Sequence, residues 1–311
     1  MALTFFEHRS PTALEYACVL WFNLWLFIGT ILVYVLSLLT LAPFGIWPYG
    51  VQRRLSSLML LACRLFWRWP FTMSPWVRTH FSGLEAAAQA RLGSSGRPVL
   101  IAANHTSFLD ALLFASHINY ATMARLAALA SSHLFKIPLL GTVIRSVGHI
   151  PVFFKDHKLE QDFSTDQSKK ALMLASIERH VKHGGYLCMY PEGQIHRGHG
   201  SPNTRTLQPF RVGGLKIALE YDMELWAWVS KGNNDCWPRT AVGGLPSTLK
   251  TRLVPIAPAG CCQLLRGLEP SLANERDAAK LMAHLTLLVS HVQTTMQTVL
   301  DELYDEKDRG D

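Results

Sequence analysis

The chain has 311 residues, 49% of them hydrophobic and 17% charged, and its 30 Lys and Arg against 23 Asp and Glu leave a net charge of +7. Such low charge with so much apolar side chain excludes a disordered chain. Six cysteines with no Cys-x-x-Cys exclude a disulfide framework and point to reduced thiols on the cytosolic side.

From Tyr16 to Gln52 there is no Asp, Glu, Lys or Arg, a stretch of 37 residues, and Ala17 to Ala42 is almost continuously apolar. About 20 apolar residues suffice to cross a bilayer as a helix. A secretory signal is the competing reading. Against it, the run exceeds a signal's core of roughly 7–15 residues. Bulky Phe44, Ile46, Trp47 and Tyr49 also stand where a cleavage site needs small residues. Pro43 and Pro48 end the run. A second apolar stretch, Val51 to Trp69, carries Arg53, Ser57, Arg64 and Arg68, which fall on one side of a helix. This pattern predicts a helix lying in the membrane interface, with Trp67 and Trp69 at headgroup level. The competing reading is a buried helix whose arginines face solvent. Arginine without any acid from Arg53 to Leu84 favours anionic lipid and places the later chain on the cytoplasmic face. The aromatics cluster with the apolar run, so the basic charge is assigned to membrane lipids and not to nucleic acid.

Turn residues Ser94 to Pro98 precede Val99–Ala103, a short apolar run typical of a buried strand. A helix is predicted over Ser107–His117. Further strands are expected at Tyr186–Tyr190, Leu225–Val229 and Leu253–Ile256, and helices at Ser168–His183, Val212–Tyr221 and Asn274–Leu303. The charged tail from Asp301 is expected to fray. Strands alternating with helices give an α/β fold. Residues 1–75 are expected to be membrane-anchoring helices and 76–311 a catalytic domain.

Three segments carry candidate chemistry. Asn104-His105-Thr106-Ser107-Phe108-Leu109-Asp110 stands where a buried strand gives way to a helix. A neutral His105 there can take a proton from a hydroxyl, and Asp110 on its other nitrogen can fix the tautomer. Ser107-x-x-Asp110 is equally a helix-start pattern, in which Asp110 is only a cap. Tyr190-Pro191-Glu192-Gly193-Gln194-Ile195-His196-Arg197 is either a polar pocket for an anionic acceptor or an ordinary turn. Phe210-Arg211-Val212-Gly213-Gly214 is either an anion site at a helix start or close helix packing. His180/His183 and His196/His199 have helical spacing but no evident third ligand; the first pair is expected on a solvated face, and no metal is expected. No Gly-x-Ser-x-Gly elbow supports a serine hydrolase.

In order and spacing these segments resemble the glycerolipid acyltransferases, the superfamily that includes 1-acylglycerol-3-phosphate acyltransferases. Asn104 to Asp110 matches that family's Asn-His-x4-Asp block. Lys136-Ile137-Pro138-Leu139-Leu140-Gly141, then Gly148-His149-Ile150, matches the second. Pro191-Glu192-Gly193 matches the third, and Phe210-Arg211-Val212-Gly213 matches its Phe-Lys-x-Gly element. The chain departs from the pattern at Pro151-Val152-Phe153-Phe154, where the family has a phosphate-contacting arginine and the nearest cation is Lys155. It departs again at Gln194-Ile195, where the family has Thr-Arg and the nearest guanidinium is Arg197.

The resemblance implies a mixed sheet flanked by helices, with a helical membrane anchor. It implies acyl transfer from acyl-CoA or acyl carrier protein to the hydroxyl of a lysolipid, 1-acylglycerol-3-phosphate first, in phospholipid biosynthesis. His105 and Asp110 would be catalytic; Asn104, Lys136, Lys155, Glu192, Gly193, Arg197, Arg211 and Gly213 would bind substrate. No cofactor beyond the acyl donor is implied. The alternatives are a different acceptor, such as a lysophospholipid or an acylated amino acid, and a non-catalytic membrane-binding member of the fold.

Overall fold

The computed structural model describes residues 12–41, 47–83, 91–154, 166–197, 204–239, 241–269 and 278–306. The chain divides into two compact units, one drawn from Met1–Trp25, Pro70–Phe114 and Tyr190–Asp311, the other from Leu26–Trp69 and Ala115–Met189. The strands are β1 (Val77–Ser82), β2 (Val99–Ala103), β3 (Leu126–Ser131), β4 (Ile150–Val152), β5 (Tyr186–Met189), β6 (Glu224–Lys231) and β7 (Ser247–Ala257). The longer helices are α1 (Ala13–Leu41), α2 (Tyr49–Phe66), α3 (Leu109–His117), α4 (Leu140–Ser146), α5 (Gln167–Lys182), α6 (Val212–Glu220), α7 (Cys261–Leu268) and α8 (Ala278–Asp305).

The first unit holds a mixed sheet in the order β1-β7-β6-β2. β1 and β7 are parallel, β7 and β6 antiparallel, β6 and β2 parallel. β2 is Val-Leu-Ile-Ala-Ala, buried throughout, as a strand covered on both faces must be. β6 brings Trp226 and Trp228 into the core, with Phe114 set edge-on against Trp228 at 4.8 Å between ring centroids. Pro255 interrupts the apolar pattern of β7. It pairs with Trp226 at the register shift of the β6–β7 ladder, where a residue without an N–H is tolerated. At the start of the sheet, buried Glu224 accepts from Gly93 N, Ser95 Oγ and Trp226 Nε1, tying the turn before β2 to β6. α8 packs on β6, β7 and α6. The expectation that the tail from Asp301 frays does not hold for 301–306, where Arg252 pairs with Glu302 and Glu306 and Arg205 with Asp301 and Asp305; residues 307–311 lie outside the described residues.

The second unit holds the parallel strands β5-β3-β4, with α5 against β4 and β5. Here α2 departs from the reading in which its arginines face solvent. Arg53, Ser57 and Arg64 of its polar stripe face protein. Arg53 donates to the carbonyl of His180 and meets its Nδ1 at 3.3 Å; Ser57 Oγ donates to Ala124 O at 2.6 Å; Arg64 Nε donates to Ile118 O and lies 3.9 Å over the Tyr120 ring. The reason is the carbonyls. His180 sits in the last turn of α5, and Ile118 and Ala124 flank the short helical turn Tyr120–Met123. Carbonyls near helix ends lack intrahelical partners, and α2 supplies the donors. Arg54, Leu58, Leu65 and Arg68 face outward instead. His180 is likewise buried rather than solvated, its Nε2 set between the carbonyls of Arg125 and Tyr186.

α1 has 29 residues, 18 of them in a stretch with a mean hydropathy of 2.3, and is long and apolar enough by length and composition to cross a membrane. One stripe, Cys18, Val19, Phe22, Val33 and Ser37, is buried. In the first unit Asn23 donates to Gly243 O at 2.6 Å and Phe22 stands edge-on to Phe71. In the second unit Ser37 and Ser146 share a hydrogen bond of 2.8 Å. Leu14, Leu20, Leu24, Phe27, Val35 and Leu39 are exposed.

Candidate active site

The site begins where β2 ends. Asn104 extends the β2–β6 pairing past the last strand residue. Its Nδ2 donates to Ser230 O and its Oδ1 accepts from Ser230 N, each at 2.8 Å. The side chain is fully buried with both amide atoms engaged. Asn104 therefore pins the sheet end, and its expected place among substrate-binding residues gives way to that role.

The next residues turn into α3. Asp110, buried in its first turn, takes three donors on Oδ2: Thr106 N at 2.6 Å, Ser107 N at 2.9 Å and His105 Nδ1 at 2.8 Å. Ser107 Oγ in return accepts from Leu109 N at 3.1 Å. Asp110 is thus a reciprocal helix cap and the partner of His105 at once. The two readings of this segment are compatible because one carboxylate oxygen can serve several N–H groups. With backbone N–H groups pointing at the same oxygen, Nδ1 must carry the hydrogen, which leaves the Nε2 lone pair free to accept a proton. Nε2 has no hydrogen-bond partner among the described residues, and the side chain keeps 18% of its surface exposed.

The segment after β5 holds His105 from the other side. Glu192 is 1% exposed. Its Oε1 accepts from His105 N at 2.8 Å and its Oε2 from Gln208 N at 3.0 Å. Burial pushes its carboxyl above the usual carboxylate range, and the N–H donors to its oxygens pull it back. With both oxygens engaged, Glu192 positions the His105 backbone rather than lining an acceptor pocket, which corrects the sequence expectation. His196 N donates to His105 O at 2.6 Å. Arg211 N donates to Pro191 O at 2.8 Å, and its Nε to Glu192 O at 3.2 Å. The Arg211 side chain passes directly over Gly193, where φ is +73° and a Cβ would stand 2.2 Å from Arg211 Nε. Only glycine suits both the turn and that approach.

The remaining candidates are spread. Arg197 is exposed beyond His196. Gly213 lies exposed in the first turn of α6 with open space around it, so close packing does not explain the glycine. Lys136 is exposed in a 3-10 turn, Leu134–Lys136, of the second unit. Lys155 and His199 lie outside the described residues. Among the described residues no group of three His, Cys, Asp or Glu could hold a metal.

Two residues at the site were not predicted. Asn233, fully buried just after β6, donates from Nδ2 to Asp110 Oδ1 at 2.7 Å. The ring of Tyr190 stacks on the His105 imidazole, centroids 4.0 Å apart and planes 16° apart. Asn233 is 123 residues from Asp110 and belongs to no local pattern. Tyr190 stood inside a recognised segment, but spacing alone carries no information on ring stacking.

A family model described as Acyltransferase matches residues 78–231, which include His105, Asp110, Glu192 and Arg211. No curated protein sequence matches the chain. Among solved structures, the chain is similar to the crystal structure of the 1-acyl-sn-glycerophosphate (LPA) acyltransferase PlsC from Thermotoga maritima. The TM-score is 0.61 at 17% identity, covering 95% of this chain and 98% of that one. At that identity the likeness concerns the fold. The chain belongs to the acyltransferase family that this model describes and is an O-acyltransferase.

Proposed function

We propose that the protein moves a fatty acyl group from acyl-CoA or acyl carrier protein to the hydroxyl of a membrane lysolipid, with 1-acylglycerol-3-phosphate as the acceptor. The observation that carries this reading is the His105–Asp110 contact at 2.8 Å with Nε2 left open. Nε2 takes the hydroxyl proton as the oxygen attacks the thioester carbon. The carbon–sulfur bond then breaks, and the leaving thiolate takes the proton back from the imidazolium. Asp110 holds the ring and supports its cationic form. No acyl-enzyme is needed. Arg197 and Arg211 supply positive charge for the acceptor phosphate, and the exposed backbone at Gly213 adds an N–H at a helix start.

Residues 1–75 act as the membrane-anchoring part and 76–311 carry the chemistry, on the cytoplasmic face. Both lysolipid and product carry acyl chains, so a site at the interface avoids moving them through water. The exposed apolar side of α1 is assigned to the membrane.

One observation favours a second acceptor. Pro151-Val152-Phe153-Phe154 occupies the place of the family's phosphate-contacting arginine, and lysine is a poorer bidentate phosphate ligand. The test is product analysis with purified protein, acyl-CoA and an equimolar panel of lysophosphatidate, lysophospholipids and acylated amino acids. Phosphatidate as main product supports the first reading. Acylation of another acceptor in its place supports the second.

A further inference from the structure

We propose that Tyr190 is a positioning residue for acyl transfer, its ring face holding the His105 imidazole and stabilising the imidazolium formed as the acceptor hydroxyl loses its proton. The inference rests on His105 being the general base.

Tyr190 is the first residue beyond β5, and its carbonyl accepts from Gly193 N at 2.9 Å. Two residues on, Glu192 binds His105 N. A single short turn therefore grips His105 twice, at its backbone N–H and across its ring. The rings are near parallel at 4.0 Å, so the imidazole presents its Nδ1 edge to Asp110 and a face to Tyr190. A neutral imidazole gains dispersion from such a contact. An imidazolium gains more, because the negative face of the phenol attracts positive charge. That difference arises only as the proton moves, so it lowers the barrier without tightening substrate binding.

The other groups around His105 are Asp110 at Nδ1, Glu192 at the backbone N–H, and His196 through its own N–H to His105 O. Arg211 is the cation of the same turn, bonded to Glu192 O. The two carboxylates favour the charged ring and Arg211 opposes it. None of them covers the face of the imidazole as Tyr190 does.

The test uses the full chain in detergent with acyl-CoA and the acceptor established for it. Tyr190→Phe keeps the ring face and should retain kcat within about 2-fold. Tyr190→Leu should lower kcat by about 3- to 30-fold, the range expected of a cation–π contact. KM for both substrates should stay unchanged, and the acid limb of kcat/KM should move to lower pH. Tyr190→Phe carrying one, two or three ring fluorines keeps the shape while draining the face of charge, so kcat should fall with each fluorine. This series decides the matter if the leucine variant does not fold. A flat kcat across the fluorinated series, or a folded leucine variant with unchanged kcat and acid limb, overturns the proposal. Full activity of His105→Ala would instead overturn the general-base reading beneath it, so the two failures are distinguishable.

Discussion

Asn233 donates to Oδ1 of Asp110 across 2.7 Å, joining the turn after β6 to the first turn of α3. The other oxygen of Asp110 carries His105, Thr106 and Ser107. Asn233 thereby sets the rotation of the carboxylate against which His105 is aligned. Asn233→Ala should lower kcat by about 3- to 30-fold with little change in KM, and cost about 1–3 kcal/mol of stability for the buried hydrogen bonds lost to Asp110 Oδ1 and Ser230 Oγ. Steady-state kinetics and thermal unfolding check both. Unchanged kcat would make Asn233 purely structural.

The double duty of Asp110 separates into two variants. Asp110→Asn removes the carboxylate that fixes the His105 tautomer, and kcat should fall by about 10^3-fold or more. Ser107→Ala removes the other half of the cap and the hydrogen bond from Ser107 Oγ to Trp237 O. It should cost roughly 1–3 kcal/mol of stability with kcat per folded molecule within about 3-fold. Comparable loss of kcat in both would show that helix capping, not the dyad, limits activity.

The second unit carries a pH dependence of its own. His180 is pushed down to about 4, first by burial and then by the Arg53 guanidinium at its Nδ1. His149 is also held at about 4 by burial, with His180 nearby. Both stay neutral when folded and take a proton more readily when unfolded. Their contribution is complete above the ordinary histidine value of about 6.5 and is lost as pH falls from there toward about 4. His180→Gln keeps a donor for the carbonyls of Arg125 and Tyr186 but cannot titrate. Its melting temperature should fall less steeply than the wild type's over that interval. An identical slope would remove His180 from the account.

Arg211 bears on acceptor charge. Arg211→Met keeps length and apolar stem but removes the cation. It should raise KM for a phosphate-bearing acceptor by about 10-fold or more, the loss of one charge-assisted hydrogen bond, and leave KM for acyl-CoA nearly unchanged. Equal change in both constants would place Arg211 elsewhere.

The parts legible in the sequence were those written in short local patterns. Val99–Ala103 reads as a buried strand because every residue is apolar, and the turn-to-helix spacing of His105 and Asp110 allowed either a pair or a plain helix cap, of which the family resemblance implied the pair. What was not legible depends on long-range partners. Leu126–Ser131 is rich in Leu and Ala, which favour helix, yet β4 and β5 on either side make it a strand. β1, with Arg78 and His80, lacks an apolar run and exists through its pairing with β7. The α2 stripe showed where the arginines were but not which way they faced. That was decided by the carbonyls of Ile118, Ala124 and His180, far away in the chain. Glu192 and Asn104 looked like pocket residues from their motif positions, and burial assigned them to the backbone.

The most direct measurement is acceptor-dependent release of free CoA thiol by purified wild type and His105→Ala in detergent, with lysophosphatidate present or withheld. The account predicts release by the wild type only when acceptor is present, and its loss in a folded His105→Ala variant. Undiminished release by that variant, or rapid stoichiometric release by the wild type without acceptor, would contradict direct transfer through His105.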